Sequence, residues 1–117
     1  MISYSDIDKI FSDAGIQVYE YRAELNEQEI ETPFLIYAVT SSDTFEADGI
    51  SYANFLSVTL AMIDDNLNFE MQHKIEDVFS NNGVVFNKTF GFDDDSMLHT
   101  ISYIFSVMQD DVPVENG

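Results

Sequence analysis

The sequence predicts an α+β domain: a single mostly antiparallel sheet of about 4–5 strands with a long central hairpin and two helices packed on one face. Two stretches have the apolar spacing of amphipathic helices, and the other apolar stretches have strand character and are bounded by turn residues. A chain of 117 residues, 45% hydrophobic and 14% aromatic, suffices for one core. We therefore expect a single domain over residues 1–108, followed by a flexible acidic tail over residues 109–117.

The first helix is predicted in the segment SDIDKIF. Ser3 or Ser5 is expected to cap it, and acidic residues follow in the first turn, where the helix dipole favours them. Ile7 and Phe11 belong to its apolar stripe, and Gly15 is expected to end it.

The second helix is predicted in the segment DDNLNFEMQHKIEDVFSNNG. Asp64 or Asp65 is expected to cap its start, and the Asn82-Gly83 pair is expected to end it. Its apolar residues recur at helical spacing and predict the buried stripe: Leu67, Met71, Ile75, Val78 and Phe79.

The central hairpin is predicted from the run TPFLIYAV, the turn pair Asp48-Gly49 and a second apolar run. Pro33 lacks an N–H group and is expected at the start of the first strand. The polar stretch from 41 to 54 is expected to project from the body as an arm. A two-residue turn at Asp48-Gly49 fixes the cross-strand partners. The partners expected on one face of the sheet are Val39–Val58, Tyr37–Leu60 and Leu35–Met62. Those expected on the opposite face are Ile36–Ala61, Ala38–Thr59 and Thr40–Ser57.

Three further strands are predicted, at about residues 16–22, 84–90 and 97–108. The segment GFDDDS between the last two is expected to be a loop, since it is rich in glycine and aspartate. Phe90 is expected in the core, and Phe92 is expected to cover the loop. The alternative is that both rings anchor a partner.

The formal charge of −18 comes from 22 acidic and 4 basic residues. Nucleic acid and anionic membranes attract basic surfaces, so we expect neither as a direct partner. The charge is compatible with simple solubility, with a basic protein partner, with a surface that repels DNA and with DNA mimicry. The acids cluster in predicted loops, which is typical of ordinary solvated turns.

No catalytic or metal-binding constellation is apparent, so we expect no enzyme, no cofactor and no metal. The chain has no cysteine, and His73 and His99 stand apart in the sequence. Neither a Gly-x-Ser-x-Gly elbow nor a glycine-rich phosphate loop is present, and the aspartates at 93–95 lack EF-hand spacing. The N-terminus has no signal-peptide pattern and no apolar run reaches membrane-spanning length, so we expect a cytoplasmic protein.

The order of these segments resembles the small tail-completion proteins, or tail terminators, of long-tailed bacteriophages. The resemblance covers about residues 4–108 and rests on the succession of motifs rather than on one motif: SDIDKIF, TPFLIYAV, DTFEADGISYANFLSVTLAM, NFEMQHKIEDVFSNNGVVF and FGFDDDSMLHTISYIF.

The resemblance implies a non-enzymatic assembly protein that forms a hexameric ring on the tail tube, stops tube growth and joins tail to head. Its implied partners are other copies of itself, the tail-tube protein and the head–tail connector. Its implied location is the host cytoplasm during assembly and then the tail and neck of the virion. We expect these acidic residues to face a partner or the lumen: Asp43, Glu46, Asp48, Asp93, Asp94 and Asp95. The alternative is an acidic inhibitor, immunity-type protein or DNA mimic that binds a basic protein.

Overall fold

The structure, a computed structural model, describes residues 2–21, 31–47 and 50–109, with the backbone alone for residues 43–47 and 50–54. Within these ranges the chain forms two helices and one five-stranded sheet, which confirms the α+β fold. The elements in chain order are α1 Asp6–Asp13, β1 Val18–Glu20, β2 Phe34–Ala47, β3 Ile50–Asp64, α2 Phe69–Asn81, β4 Phe86–Asp93 and β5 Leu98–Met108.

The strands lie in the order β1-β2-β3-β5-β4. β1 pairs with β2 in parallel, and the other neighbours pair antiparallel. The N-terminal segment also joins this sheet, since Ser3 bridges Met108 in parallel where β5 extends past the start of β4. Both edges of the sheet are therefore defined, with β1 at one side and β4 at the other.

The hydrophobic core lies between the two helices and one face of the sheet. Because side chains alternate along a strand, every second residue of β2, β3 and β5 points toward the helices. Phe79 of α2 is fully buried at the centre of the aromatic part of this core. Its ring centroid lies 4.8 to 5.7 Å from those of Phe11, Phe86, Tyr103 and Phe105. These ring contacts attach both helices and two strands to one residue.

The end of α2 is as predicted, but its start is not. Asn82 is the C-cap, and Gly83 follows with φ 68°, a conformation that suits a residue without Cβ. The N-cap is Asn68, whose side-chain oxygen accepts from the Met71 N–H at 3.1 Å. The predicted caps Asp64 and Asp65 lie before the helix.

The hairpin register was predicted correctly for five of its six pairs. The sixth, Thr40–Ser57, was wrong because the register shifts between Val39 and Ser41, so that Ser41 faces Ser57. A second shift between Phe45 and Glu46 restores the original alignment, and Ala47 pairs with Ile50. That final pair flanks the predicted turn at Asp48-Gly49, residues that themselves lie outside the described part of the chain.

β4 ends later than predicted, and the acidic loop is shorter than predicted, whereas β5 lies almost where it was expected. β4 continues through residues 91–93, which were expected in the loop, because Gly91 and Phe92 pair with Thr100 and His99. The connection to β5 is therefore only residues 94–97. The predicted tail, residues 109–117, lies outside the described residues apart from Gln109.

Glu76 of α2 connects the helix to the sheet through two hydrogen bonds. Its Oε2 accepts from the Lys88 ammonium at 2.6 Å and from the Tyr103 hydroxyl at 2.9 Å. Burial favours the protonated carboxyl, but these two donors and the Lys88 charge outweigh burial and hold the Glu76 pKa below its ordinary value. Burial, and then the bond to Glu76, raise the pKa of Tyr103. A carboxylate here therefore stabilises the folded state.

Replacing Glu76 with glutamine is expected to lower the free energy of unfolding by about 1–2 kcal/mol at pH 7, since a buried hydroxyl and an ammonium lose a charged acceptor. Because the folded-state pKa is depressed, this stabilisation is present above the ordinary value of 4.5 and is lost as the pH falls through the folded-state pKa. Urea unfolding of both proteins should show the difference at pH 7 and a smaller difference at pH 3.

The matched control is Glu70→Gln on the same helix, where the side chain is 85% exposed and lies 3.7 Å from Lys74. An exposed pair of this kind contributes at most about 0.5 kcal/mol. Equal losses in the two variants would contradict a stabilising role for the Glu76 contacts.

Candidate interaction surfaces

The β2–β3 hairpin extends past the rest of the sheet. β1 pairs with β2 only at residues 35–37, and β5 pairs with β3 only as far as Phe55, which faces Met108. Pairing of β2 with β3 nevertheless continues to Ala47 and Ile50. In the described part of the chain, the segment from 43 to 54 is thus a two-stranded arm with no strand on either side. At about 3.3 Å per residue, its β2 half is roughly 15 Å long.

Two of the predicted interface residues, Asp43 and Glu46, belong to the β2 strand of this arm. The third, Asp48, lies outside the described residues. The arm combines acidic residues with strand edges that pair with no third strand in the described part of the chain. Such edges pair readily with another chain.

The other three predicted residues lie where β4 is connected to β5: Asp93 ends β4, and Asp94 and Asp95 belong to the turn. The Asp93 side chain accepts from the Asp95 N–H at 3.0 Å and from the Ser96 hydroxyl at 2.9 Å, so it stabilises its own turn. Met97 closes the turn with φ 61° and donates its N–H to the Asp93 carbonyl at 2.7 Å. Asp94 and Asp95 are exposed. This turn is an acidic, ordered projection.

The structure does not bring the two acidic groups together. The arm lies beyond the end of β5 at Met108. The acidic turn lies at the opposite end of β5, immediately before Leu98. Ten residues of extended strand separate these ends by about 33 Å. The predicted residues therefore belong to two surfaces, one at each end of the sheet.

Phe90 and Phe92 lie on β4, on the face that the helices cover elsewhere. The expectation that Phe90 is a core residue was wrong, because its side chain is 59% exposed. β4 is the edge strand, so neighbouring side chains cover it on one side only. Lys88 Nζ lies 5.3 Å from the Phe90 ring centroid, and Phe92 is 48% exposed and lies 4.7 Å from the His99 ring. Phe90 and Phe92 are therefore two exposed rings on one face of β4, and Met97 in the adjoining turn is also exposed, at 62%.

Sequence reasoning missed two buried polar residues. Asp64 ends β3 with 4% exposure and accepts from the Asp65 N–H and the Asn68 amide, both at 2.8 Å. Gln72 is fully buried in α2 and donates to the Leu67 carbonyl at 2.5 Å, while its side-chain oxygen has no hydrogen bond. Its position beside Met71 and three residues before Ile75 places it in the apolar stripe, a signal that was available in the sequence.

A separate polar contact lies where α1 meets the other edge of the sheet. The buried Tyr37 donates its hydroxyl to Asp8 at 3.0 Å, and Tyr4 donates to Glu20. Burial, and then the neighbouring Asp8 carboxylate, raise the pKa of Tyr37. The Tyr37 phenol therefore acts as a neutral donor that attaches α1 to β2, while the Tyr4 contact attaches the segment before α1 to β1.

The two histidines do not share a site: His73 is exposed on α2, whereas the His99 ring contacts the Phe92 ring at an interplanar angle of 49°. Among residues 2–21, 31–47 and 50–109, no group of three or more histidine, aspartate or glutamate side chains is placed to hold a metal ion.

The fold and these surfaces define a small α+β protein with a projecting hairpin and an acidic surface. The sequence matches no protein-family model, and a search of curated proteins returns no match. Within the described part of the chain, no helix has the length and apolarity needed to cross a membrane.

Proposed function

We propose that this protein is a non-enzymatic virion assembly protein that caps the tail tube of a long-tailed phage and joins the tail to the head. The observation that carries the proposal is the arm, residues 43–54, which extends beyond the strands that flank it in the sheet. A monomer gains little from a long unpaired hairpin, since unpaired strand edges promote aggregation. A subunit of a closed ring can use the same edges to pair with its neighbours.

The partners of the proposed ring are other copies of this chain, the tail-tube protein and the head–tail connector. Ring closure requires heterologous contacts, in which one surface of a subunit meets a different surface of the next. The arm and the body of the sheet are two such surfaces. This arrangement supports a ring, which we propose to be hexameric on the tube.

The charge supports a role beside DNA that passes through the neck. A surface with a formal charge of −18 repels phosphates, so DNA slides past it without binding. The exposed Asp94 and Asp95 form the acidic projection that we place toward the lumen or a partner. The proposal thus assigns the carboxylates to exclusion of DNA contacts rather than to catalysis.

Replacing Asp93, Asp94 and Asp95 together with asparagine is expected to leave the fold intact, because asparagine keeps an oxygen acceptor in the turn. We expect fewer infectious particles, since a neutral turn no longer repels DNA or pairs with a basic surface. Circular dichroism and plaque titre measure the two effects. A triple change at exposed Asp13, Glu70 and Asp77, which lie on the helices, provides the charge-matched control. Unchanged assembly and titre in the turn variant would refute the role of the acidic turn.

The proposed function can be tested by adding purified protein to an extract of the phage that lacks the gene. Such an extract is expected to contain tails and DNA-filled heads that remain separate. Added protein should produce joined, infectious particles, whereas heat-unfolded protein should not. If separate heads and tails do not accumulate, or if the added protein fails to join them, the proposal is wrong. A tight, salt-sensitive complex with a basic enzyme would instead support the inhibitor alternative.

A further inference from the structure

Three phenylalanines are exposed among those whose side chains the structure describes. Phe69, at the start of α2, and Phe90 of β4 are both 59% exposed, and Phe92 of β4 is 48% exposed. Phenylalanine is ordinarily buried, because its ring is a large apolar surface. Exposed aromatic rings that lie together mark surfaces that contact other molecules. The positions of these three rings in the fold therefore indicate a contact surface.

Phe90 and Phe92 lie on the face of the sheet that α2 covers elsewhere. Alternation along β4 places them on the same face as Lys88, and Lys88 contacts Glu76 of α2. Since they are two residues apart on one strand, their α-carbons are about 7 Å apart. The Phe92 ring also contacts His99 of β5, with the ring centroids 4.7 Å apart. The two rings thus stand side by side at the edge of the helix-covered face.

α2 borders the same surface. Phe69 and Glu76 are seven residues apart, which is about two helical turns, so they lie on one side of the helix. That side is directed toward β4, because Glu76 binds Lys88 at 2.6 Å. α2 follows β3, and β3 ends at the same end of the sheet as β4. The exposed rings of Phe69, Phe90 and Phe92 therefore border one surface, the aromatic surface, between the start of α2 and the end of β4.

The charge beside the aromatic surface is negative. Lys88 is the only lysine or arginine after Lys74 in the sequence, and the Glu76 carboxylate binds its ammonium at 2.6 Å. Asp94 and Asp95, immediately beyond the end of β4, are exposed. The positive charge is thus compensated, whereas the two aspartates form a negative rim. An apolar centre with a negative rim is complementary to a partner that carries apolar side chains next to positive charges.

We propose that the aromatic surface docks a protein segment that carries apolar side chains next to arginine. Phenylalanine rings supply a large contact area, and the guanidinium group of arginine stacks on such rings and also binds carboxylates. The formal charge of −18 attracts a basic segment to the whole protein, while the rings determine where the segment docks. This inference is independent of the proposed function, because it rests on the exposed rings and their neighbouring charges and not on the arm.

Isothermal titration calorimetry with a short synthetic peptide of alternating leucine and arginine tests the proposal. The wild-type protein should bind this peptide but not the same peptide with glutamate in place of arginine. Phe90→Ala combined with Phe92→Ala should weaken binding by about ten-fold or more, since aromatic anchors dominate such contacts. Tyr21→Ala removes a ring that is 58% exposed after β1, at the other sheet edge, and should bind like wild type. Thermal unfolding verifies that the variants remain folded.

A charge variant tests the choice of arginine. Asp94→Asn combined with Asp95→Asn should weaken binding several-fold at low salt and reduce its salt dependence, since the rim loses two carboxylates. Unchanged binding by this variant would overturn the arginine assignment.

Three results would overturn the docking surface itself. The first is a wild-type protein that does not bind the arginine peptide or that prefers the glutamate peptide. The second is equal binding by wild type and the Phe90→Ala, Phe92→Ala variant, since the peptide then binds through charge alone. The third is an equal loss in Tyr21→Ala, because the contact is then not confined to the aromatic surface.

Discussion

Phe79→Ala is expected to lower the free energy of unfolding by about 3–5 kcal/mol, the usual cost of truncating a fully buried phenylalanine. The substitution removes the ring that contacts Phe11 of α1, Phe86 of β4 and two rings of β5. The resulting cavity lies where both helices meet the sheet, so it cannot collapse around one flexible side chain. Since domains of this size are stable by about 5–15 kcal/mol, the variant loses a large part of its stability.

Chemical denaturation measures the effect, and Phe69→Ala is its control. Phe69 begins the same helix but is 59% exposed, so its truncation should change stability by no more than about 0.5 kcal/mol. An unchanged denaturant slope would show that the Phe79 variant has the same compact fold. A loss below about 1 kcal/mol for Phe79→Ala would contradict the central position of this ring.

Removal of the arm is expected to abolish assembly while the domain remains folded. Asp43 and Phe55 are cross-strand partners, so residues 44–54 can be replaced by Asn-Gly, which forms a two-residue hairpin turn. The buried core residues of the described chain lie outside the deleted segment. We therefore expect a change in the free energy of unfolding of at most about 1 kcal/mol.

The assembly assay compares this shortened protein with wild type in the extract that lacks the gene. The shortened protein should give at least about ten-fold fewer joined particles, since it cannot pair through the arm. A variant with Asp43 and Glu46 changed to asparagine and glutamine keeps the arm and separates the role of its charge from that of its length. Normal joining of heads and tails by the shortened protein would show that the arm is not needed for assembly.

The main features of the fold follow from local sequence signals. Asp48-Gly49 between two apolar runs predicts the hairpin, and residue alternation then gives the correct partners near the core, such as Tyr37 with Leu60. The Asn82-Gly83 pair correctly predicts the end of α2, since Gly83 adopts a positive φ. These signals are reliable because turn chemistry and side-chain alternation act over a few residues.

The errors arise where tertiary contacts decide between similar local choices. Three of the four residues from 65 to 68 are polar and could each act as a cap. Asn68 takes the position because its side chain bonds both the Met71 N–H and the buried Asp64. The bulge at Thr40 leaves no signal in the apolar pattern because that part of the hairpin is polar. Phenylalanine is usually a core residue, so Phe90 was predicted to be buried. It is exposed because β4 is an edge strand.

The candidate surfaces are predicted less completely than the fold. Acidic clusters at 43–48 and 93–95 were visible in the sequence, but their separation to opposite ends of the sheet depends on strand order. The edge position of β4, which leaves Phe90 exposed, also follows from strand order, which the alternation of apolar residues does not specify.

Electron microscopy of lysates from the phage with this gene deleted tests the central claim most directly. We expect tails of abnormal or excessive length together with separate DNA-filled heads, and we expect the wild-type gene to restore joined particles. Joined particles with tails of normal length in the deletion lysate would contradict tail completion as the function.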